Sequence, residues 1–83
     1  GYQIFEMAKC RYFDAYIYRI TKEVMISGTT KKWRGILVTD GQMTIRNKNE
    51  EETISARKGE FYLVPRNDDQ YEIKGEAEFI LVD

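Results

Sequence analysis

The chain contains no histidine, and that absence removes the commonest general base near neutral pH and the usual partner of a nucleophilic serine or cysteine. Most hydrolytic schemes fail with it. The one cysteine, Cys10, excludes an internal disulfide and gives no support for an oxidising compartment. Without imidazole, only a nearby lysine or arginine could activate that thiol, and we read it as a small unreactive side chain. No apolar run is long enough to span a bilayer. The opening Gly1-Tyr2-Gln3-Ile4-Phe5-Glu6 lacks the basic flank and apolar stretch of a signal peptide, so a cytoplasmic location is expected. Charge of one sign is also missing: 13 basic and 14 acidic residues leave a net −1. That offers no broad field to attract nucleic acid or an anionic membrane, and neither is expected as a partner.

What is present is a short chain rich in large apolar side chains. Its 83 residues leave room for one core, and a domain this small buries only about 60% of the surface its unfolded chain exposes. An aromatic share of 13% supplies the bulk to fill such a core and separates the chain from disordered segments.

Glycine and the single proline cut the sequence into pieces that alternate polar with apolar at a period of two, the pattern of half-buried strands. In Tyr12 to Ile20, one face carries Tyr12, Asp14, Tyr16, Tyr18 and Ile20 and the other Phe13, Ala15, Ile17 and Arg19. Both faces are largely apolar, as in a strand covered on two sides. Val24-Met25-Ile26 ends at Ser27-Gly28, and Trp33 to Thr39 runs into Asp40-Gly41, a dipeptide suited to a tight hairpin turn with Gln42 to Arg46 as the return strand. Asn47 to Glu51 reads as a polar hairpin tip, and Arg57-Lys58-Gly59 as a second turn. Phe61 to Val64 is expected as a buried strand ended by Pro65, and Arg66 to Asp69 as a loop. Gly75-Glu76 reads as a last turn before the closing strand Ala77 to Val82. About eight short antiparallel strands in one chain favour an all-β closed barrel or jelly roll, because closure removes aggregation-prone edges. Residues 1–11 are expected to form an N-terminal extension and residues 12–83 the barrel.

Two stretches carry a family resemblance. Lys58-Gly59-Glu60-Phe61-Tyr62-Leu63-Val64-Pro65 resembles the opening of the second cupin motif, where glycine makes the turn, an apolar strand follows and proline stops it. Ile36-Leu37-Val38-Thr39-Asp40-Gly41 resembles the end of the first. The resemblance implies a small cupin-like β-barrel. In metal-binding cupins the first motif supplies two histidines and a glutamate, and the second a further histidine. Here the glutamate place falls on Arg34, the histidine places on Gly28 and Thr30 or on Ser27 and Thr29, and the last on Gln70. A divalent transition metal needs several nitrogen, sulfur or carboxylate donors converging, so no metal or other cofactor is expected.

Among cupins, the stretch from Tyr12 to Asp83 is most similar to the C-terminal cupin domain of class I mannose-6-phosphate isomerases. The similarity lies in Tyr12-Phe13-Asp14-Ala15-Tyr16, the Ile36 to Ile45 segment, Lys58 to Pro65 and Tyr71 to Gly75. It implies an isomerase whose zinc site belongs to another cupin domain, so that a catalytic cupin domain of the same polypeptide would be the partner and this domain would be non-catalytic. The alternative is a stand-alone metal-free cupin that binds a sugar or sugar phosphate, or pairs with itself as a homodimer.

No catalytic residues are assigned. Asp68-Asp69 and Glu50-Glu51-Glu52 read as solvated loop acids, and Lys31-Lys32-Trp33-Arg34 as a strand start whose lysines reach solvent. The candidate ligand residues are Trp33, Arg34, Tyr62 and Gln70, placed by the pattern at a barrel mouth.

Overall fold

The computed structural model describes residues 2–9, 14–28 and 33–82. Among these run seven strands: β1 (Tyr2–Lys9), β2 (Asp14–Ile20), β3 (Glu23–Ser27), β4 (Arg34–Asn47), β5 (Thr53–Arg57), β6 (Phe61–Val64) and β7 (Gln70–Val82). All pairings between them are antiparallel. None of the described residues forms a helix long and apolar enough to cross a membrane.

The architecture follows from two long strands that pair along most of their length, from Gly35↔Val82 to Asn47↔Tyr71. The first half of β4 also pairs with β6, and the second half of β7 with β2, whose other edge carries β1. The second half of β4 pairs with β5 and the first half of β7 with β3. Two layers therefore share β4 and β7, with β1-β2-β7-β4-β6 in one and β3-β7-β4-β5 in the other. One hydrophobic cluster drawn from both layers lies between them. This is the expected all-β jelly-roll barrel.

The strands bend from one layer into the other at Gly41 and Gly75, which the sequence suggests as turns. The expected hairpin turn at Asp40-Gly41 is instead a β-bulge: Val38 pairs with Phe79 and Asp40 with Glu78, leaving Thr39 as the extra residue. The extra residue switches the parity of the buried side chains, which are Ile36 and Val38 before the bulge and Met43 and Ile45 after it. On β7 the buried Tyr71, Ile73, Phe79 and Leu81 keep one parity throughout. Gly41 takes φ 73°, and a Cβ there would collide with the Glu76 carbonyl. A Cβ on Gly75 would lie 2.6 Å from the Gln42 carbonyl oxygen. The backbones thus approach too closely at the bend for any residue but glycine. The β5–β6 turn brackets the same bend, with Lys58 N–H donating to the Gly41 carbonyl (3.1 Å) and Gly59 N–H to that of Val38 (2.8 Å).

Merging two expected hairpins into single strands lowers the strand number, while the first residues raise it. Residues 1–11, expected as an extension, contribute β1, which pairs with β2 from Tyr2↔Ile20 to Lys9↔Asp14. The boundary expected at residues 11 and 12 therefore does not separate that segment from the sheet. Cys10, Tyr12 and Phe13 lie outside the described residues.

The core is dry. Its largest fully buried side chains are Tyr71 and Phe79, each contributing about 2–3 kcal/mol by burial, and Tyr18 stacks on Phe79 with ring centroids 5.0 Å apart. No polar or charged residue is buried among the described residues.

Candidate functional site

The bend defines a closed base, so the opposite ends of the strands form a mouth. There the end of β3, the start of β4, the β4–β5 tip and the β6–β7 loop converge. The loops are tied by one polar network. Asn47 Nδ2 donates to Asp69 Oδ2 (2.8 Å) and Asn49 Nδ2 to Asp69 Oδ1 (2.6 Å). Asp69 N–H donates to Asn67 Oδ1 (3.0 Å), and Asn67 Nδ2 to the Tyr71 hydroxyl (2.9 Å). Gly28 N–H reaches the Asp69 carbonyl (2.8 Å), and Lys48 N–H that of Gln70 (2.9 Å). Loop residues supply Asn49, Asn67 and Asp69, and the strand ends supply Asn47 and Tyr71, since short amides and carboxylates reach nearby backbone and one another.

Arg34 stands at the first position of β4 with the parity of Ile36 and Val38, so its side chain projects to the inner side at the mouth. Its Nη1 donates to the Ser27 carbonyl on β3, bridging the two layers. With Ser27, Tyr16, Tyr18, Met25 and Leu81 it lines a cleft of about 440 Å³. The tyrosines come from the inner face of β2: Tyr16 pairs with Leu81 and Tyr18 with Phe79, both core residues.

The four residues named from sequence divide here. Arg34 and Tyr62 share the inner side, Tyr62 opposite Ile36 on β6 and packed against the core. Burial pushes the Tyr62 phenol above its ordinary value, and Tyr71, Glu50 and Glu52 push the same way. Gln70 pairs with Ser27 and alternates with the inward Tyr71, which turns it outward. Trp33 precedes β4 and is half exposed. Neither Trp33, Tyr62 nor Gln70 lines the Arg34 cleft. The tyrosines that do were visible as an alternating set on β2, but two apolar faces left no sign of which one turned inward.

The motif places of a metal cupin do meet at this mouth, since Arg34 bonds Ser27, Ser27 pairs with Gln70, and Gly28 joins Asp69. Thr29, Thr30, Lys31 and Lys32 lie outside the described residues. A guanidinium, a hydroxyl, a glycine and an outward amide do not fit a divalent metal, which wants converging nitrogen, sulfur or carboxylate donors. Among the described residues no group of three or more Cys, Asp or Glu could hold one. The arrangement suits a different task, hydrogen-bonding a small polar molecule or simply closing the barrel.

Comparison with known proteins gives a consistent picture. The family described as mannose-6-phosphate isomerase, cupin domain, matches residues 3–83. None of the curated proteins matches. The mannose 6-phosphate isomerase of Bacillus subtilis shares the fold, with a TM-score of 0.84 and 22% identity over 100% of this chain and 26% of that one. A cupin-2 domain protein of Shewanella frigidimarina aligns with a TM-score of 0.80 and 14% identity over 98% of this chain and 78% of that one. A putative ethanolamine utilization protein of Salmonella typhimurium, EutQ, gives 0.81 and 14% over 98% and 67%. The chain thus spans about a quarter of the Bacillus isomerase.

Proposed function

Because this chain belongs to the mannose-6-phosphate isomerase cupin-domain family, we propose that it serves as a non-catalytic, metal-free accessory domain of a cytoplasmic carbohydrate isomerase. The observation that carries the reading is the mouth: where a metal cupin places ligands, Arg34 reaches across to the Ser27 carbonyl, and the chain has no histidine. A fixed cation in that position opposes a second one. The aldose-ketose isomerase activity then resides in another cupin domain carrying the zinc ligands. The purified 83-residue chain should contain no stoichiometric zinc, iron or manganese by elemental analysis and should not turn over mannose 6-phosphate. Tight metal held by its own side chains, or turnover by the chain alone, overturns the reading. A reading frame that continues upstream into a histidine-bearing cupin domain supports it.

A second reading rests on the cleft. Arg34 with Tyr16, Tyr18 and Ser27 joins a permanent cation, two aromatic faces and hydroxyls in one concave site, a combination suited to a sugar or sugar phosphate. Titration with mannose 6-phosphate should then shift the amide signals of residues around Ser27, Arg34 and Leu81, and Arg34→Leu should abolish the shifts. Unchanged spectra at saturating sugar phosphate remove this reading and leave the accessory one standing.

A further inference from the structure

The outer side of the β3-β7-β4-β5 layer carries a hollow of about 220 Å³ near the bend. The register that buries Met43, Ala56 and Ile73 fixes what surrounds it. Gln42 and Thr44 flank Met43 on β4, Ser55 and Arg57 flank Ala56 on β5, and Lys74 follows Ile73 on β7. All five side chains therefore turn outward. Ser55, Thr44 and Lys74 stand in one row across the three strands, and Arg57 and Gln42 in the next. Two short hydroxyl side chains make a floor, and the longer Arg57, Gln42 and Lys74 rise around it.

We propose that this hollow holds a tetrahedral oxyanion, either the free phosphate ion or the phosphoryl group of an ester. Each of the five side chains can donate a hydrogen bond, two are cations, and no carboxylate lines the hollow. An oxyanion accepts several such bonds at once, and a guanidinium offers it two parallel N–H donors. Arg57 is also uncommitted. Arg19 and Arg46 bond Glu78 and Glu72, and Arg34 the Ser27 carbonyl, whereas no acceptor among the described residues meets the Arg57 guanidinium. Glu60, the acid nearest it along the chain, accepts from the Arg57 backbone N–H instead (2.7 Å). The acids of the same wall are occupied or set apart. Glu72 is shared by Arg46 (3.4 Å) and Lys74 (3.3 Å), while Glu23 and Glu76 line other hollows. The volume lies below the ~300–1,000 Å³ of sites for drug-sized ligands and suits a small ion with its waters. None of the five residues lines the Arg34 cleft, so the inference is independent of both readings above.

Titration of the 83-residue chain with sodium phosphate at fixed ionic strength, followed by amide NMR, tests it. Saturable shifts are expected at Gln42 to Thr44, Ser55 to Arg57 and Lys74 to Gly75. Arg57→Leu, at an exposed position, should weaken binding by roughly tenfold or more with an unchanged circular dichroism spectrum. Arg66→Leu, which removes an exposed arginine of the β6–β7 loop, should leave it as it is. A parallel titration with glycerol phosphate separates the two sources. Equal affinity supports the proposal with the free ion as ligand, and tighter binding of the ester supports it with a phosphoryl group. Shifts that never saturate and spread over the whole surface, as a change of salt produces, overturn it. Saturable shifts that survive Arg57→Leu overturn it as well, by placing the anion elsewhere.

Discussion

Glu78 lies on the outer side of β7, where Arg19 Nε donates to its carboxylate at 2.8 Å and Thr39 Oγ1 at 2.9 Å. Those two hydrogen bonds hold the carboxyl below the ordinary range. A folded-state value below the unfolded one contributes stability above the unfolded value, and the contribution is lost as pH falls through the folded one. The melting temperature should therefore drop on acidification through and below the usual carboxylate range, and Glu78→Gln should flatten part of that slope. Tyr62 has the opposite sign. Its raised value favours the neutral phenol, so stability is complete below the ordinary phenol value of about 10 and is lost as pH rises through the folded one. In an ultraviolet titration the Tyr62 phenol should ionise later than an exposed phenol, and Tyr62→Phe should reduce the late absorbance change. Glycines at two sites should also behave differently on substitution. Gly41→Ala meets the Glu76 carbonyl as well as an unfavourable φ, whereas Gly59, at φ 89°, has nothing within 4 Å of a new Cβ. Urea unfolding should show Gly59→Ala losing about 1–2 kcal/mol, and Gly41→Ala losing clearly more.

At the scale of elements, the mouth loops depend on Asp69, whose carboxylate accepts from both Asn47 and Asn49. Asp69→Ala should cost about 1–3 kcal/mol in urea unfolding and should speed amide exchange at Gly28 and Lys48, whose backbone bonds lie in the same network. At this scale the sequence marks some elements and hides others for physical reasons. Period-two alternation marks the second half of β4 and the first half of β7, where the buried Met43, Ile45, Tyr71 and Ile73 alternate with polar neighbours, and Gly59 marks a real turn because its φ is positive. Asp40-Gly41 looks like a hairpin because the same dipeptide satisfies a bulge, and only the partner strand distinguishes the two. The first residues look like an extension because an edge strand of mixed composition carries no strong periodic signal. At the mouth Arg34 was legible from motif spacing. Tyr16 and Tyr18 were not, because a strand with two apolar faces does not say which one turns inward.

At the scale of the whole molecule, the pairings are dominated by contacts between distant parts of the chain, with β2 on β7 and β4 on β7. Folding must close long loops before these contacts form, which places it in the millisecond-to-second range typical of all-β domains, and stopped-flow refolding should show it. Ending the chain after Lys74 removes the half of β7 that pairs with β2 and with the first half of β4. That truncated chain should show no cooperative thermal transition, whereas removing Tyr2–Lys9, an edge strand, should lower the transition without abolishing it.

Because β4 and β7 run through both layers, neither layer owns its central rungs. The molecule has no seam along which one half can be peeled from the other, so a disturbance at any rung propagates to both walls. Such a body should come apart in a single cooperative step, with no half that melts ahead of the other.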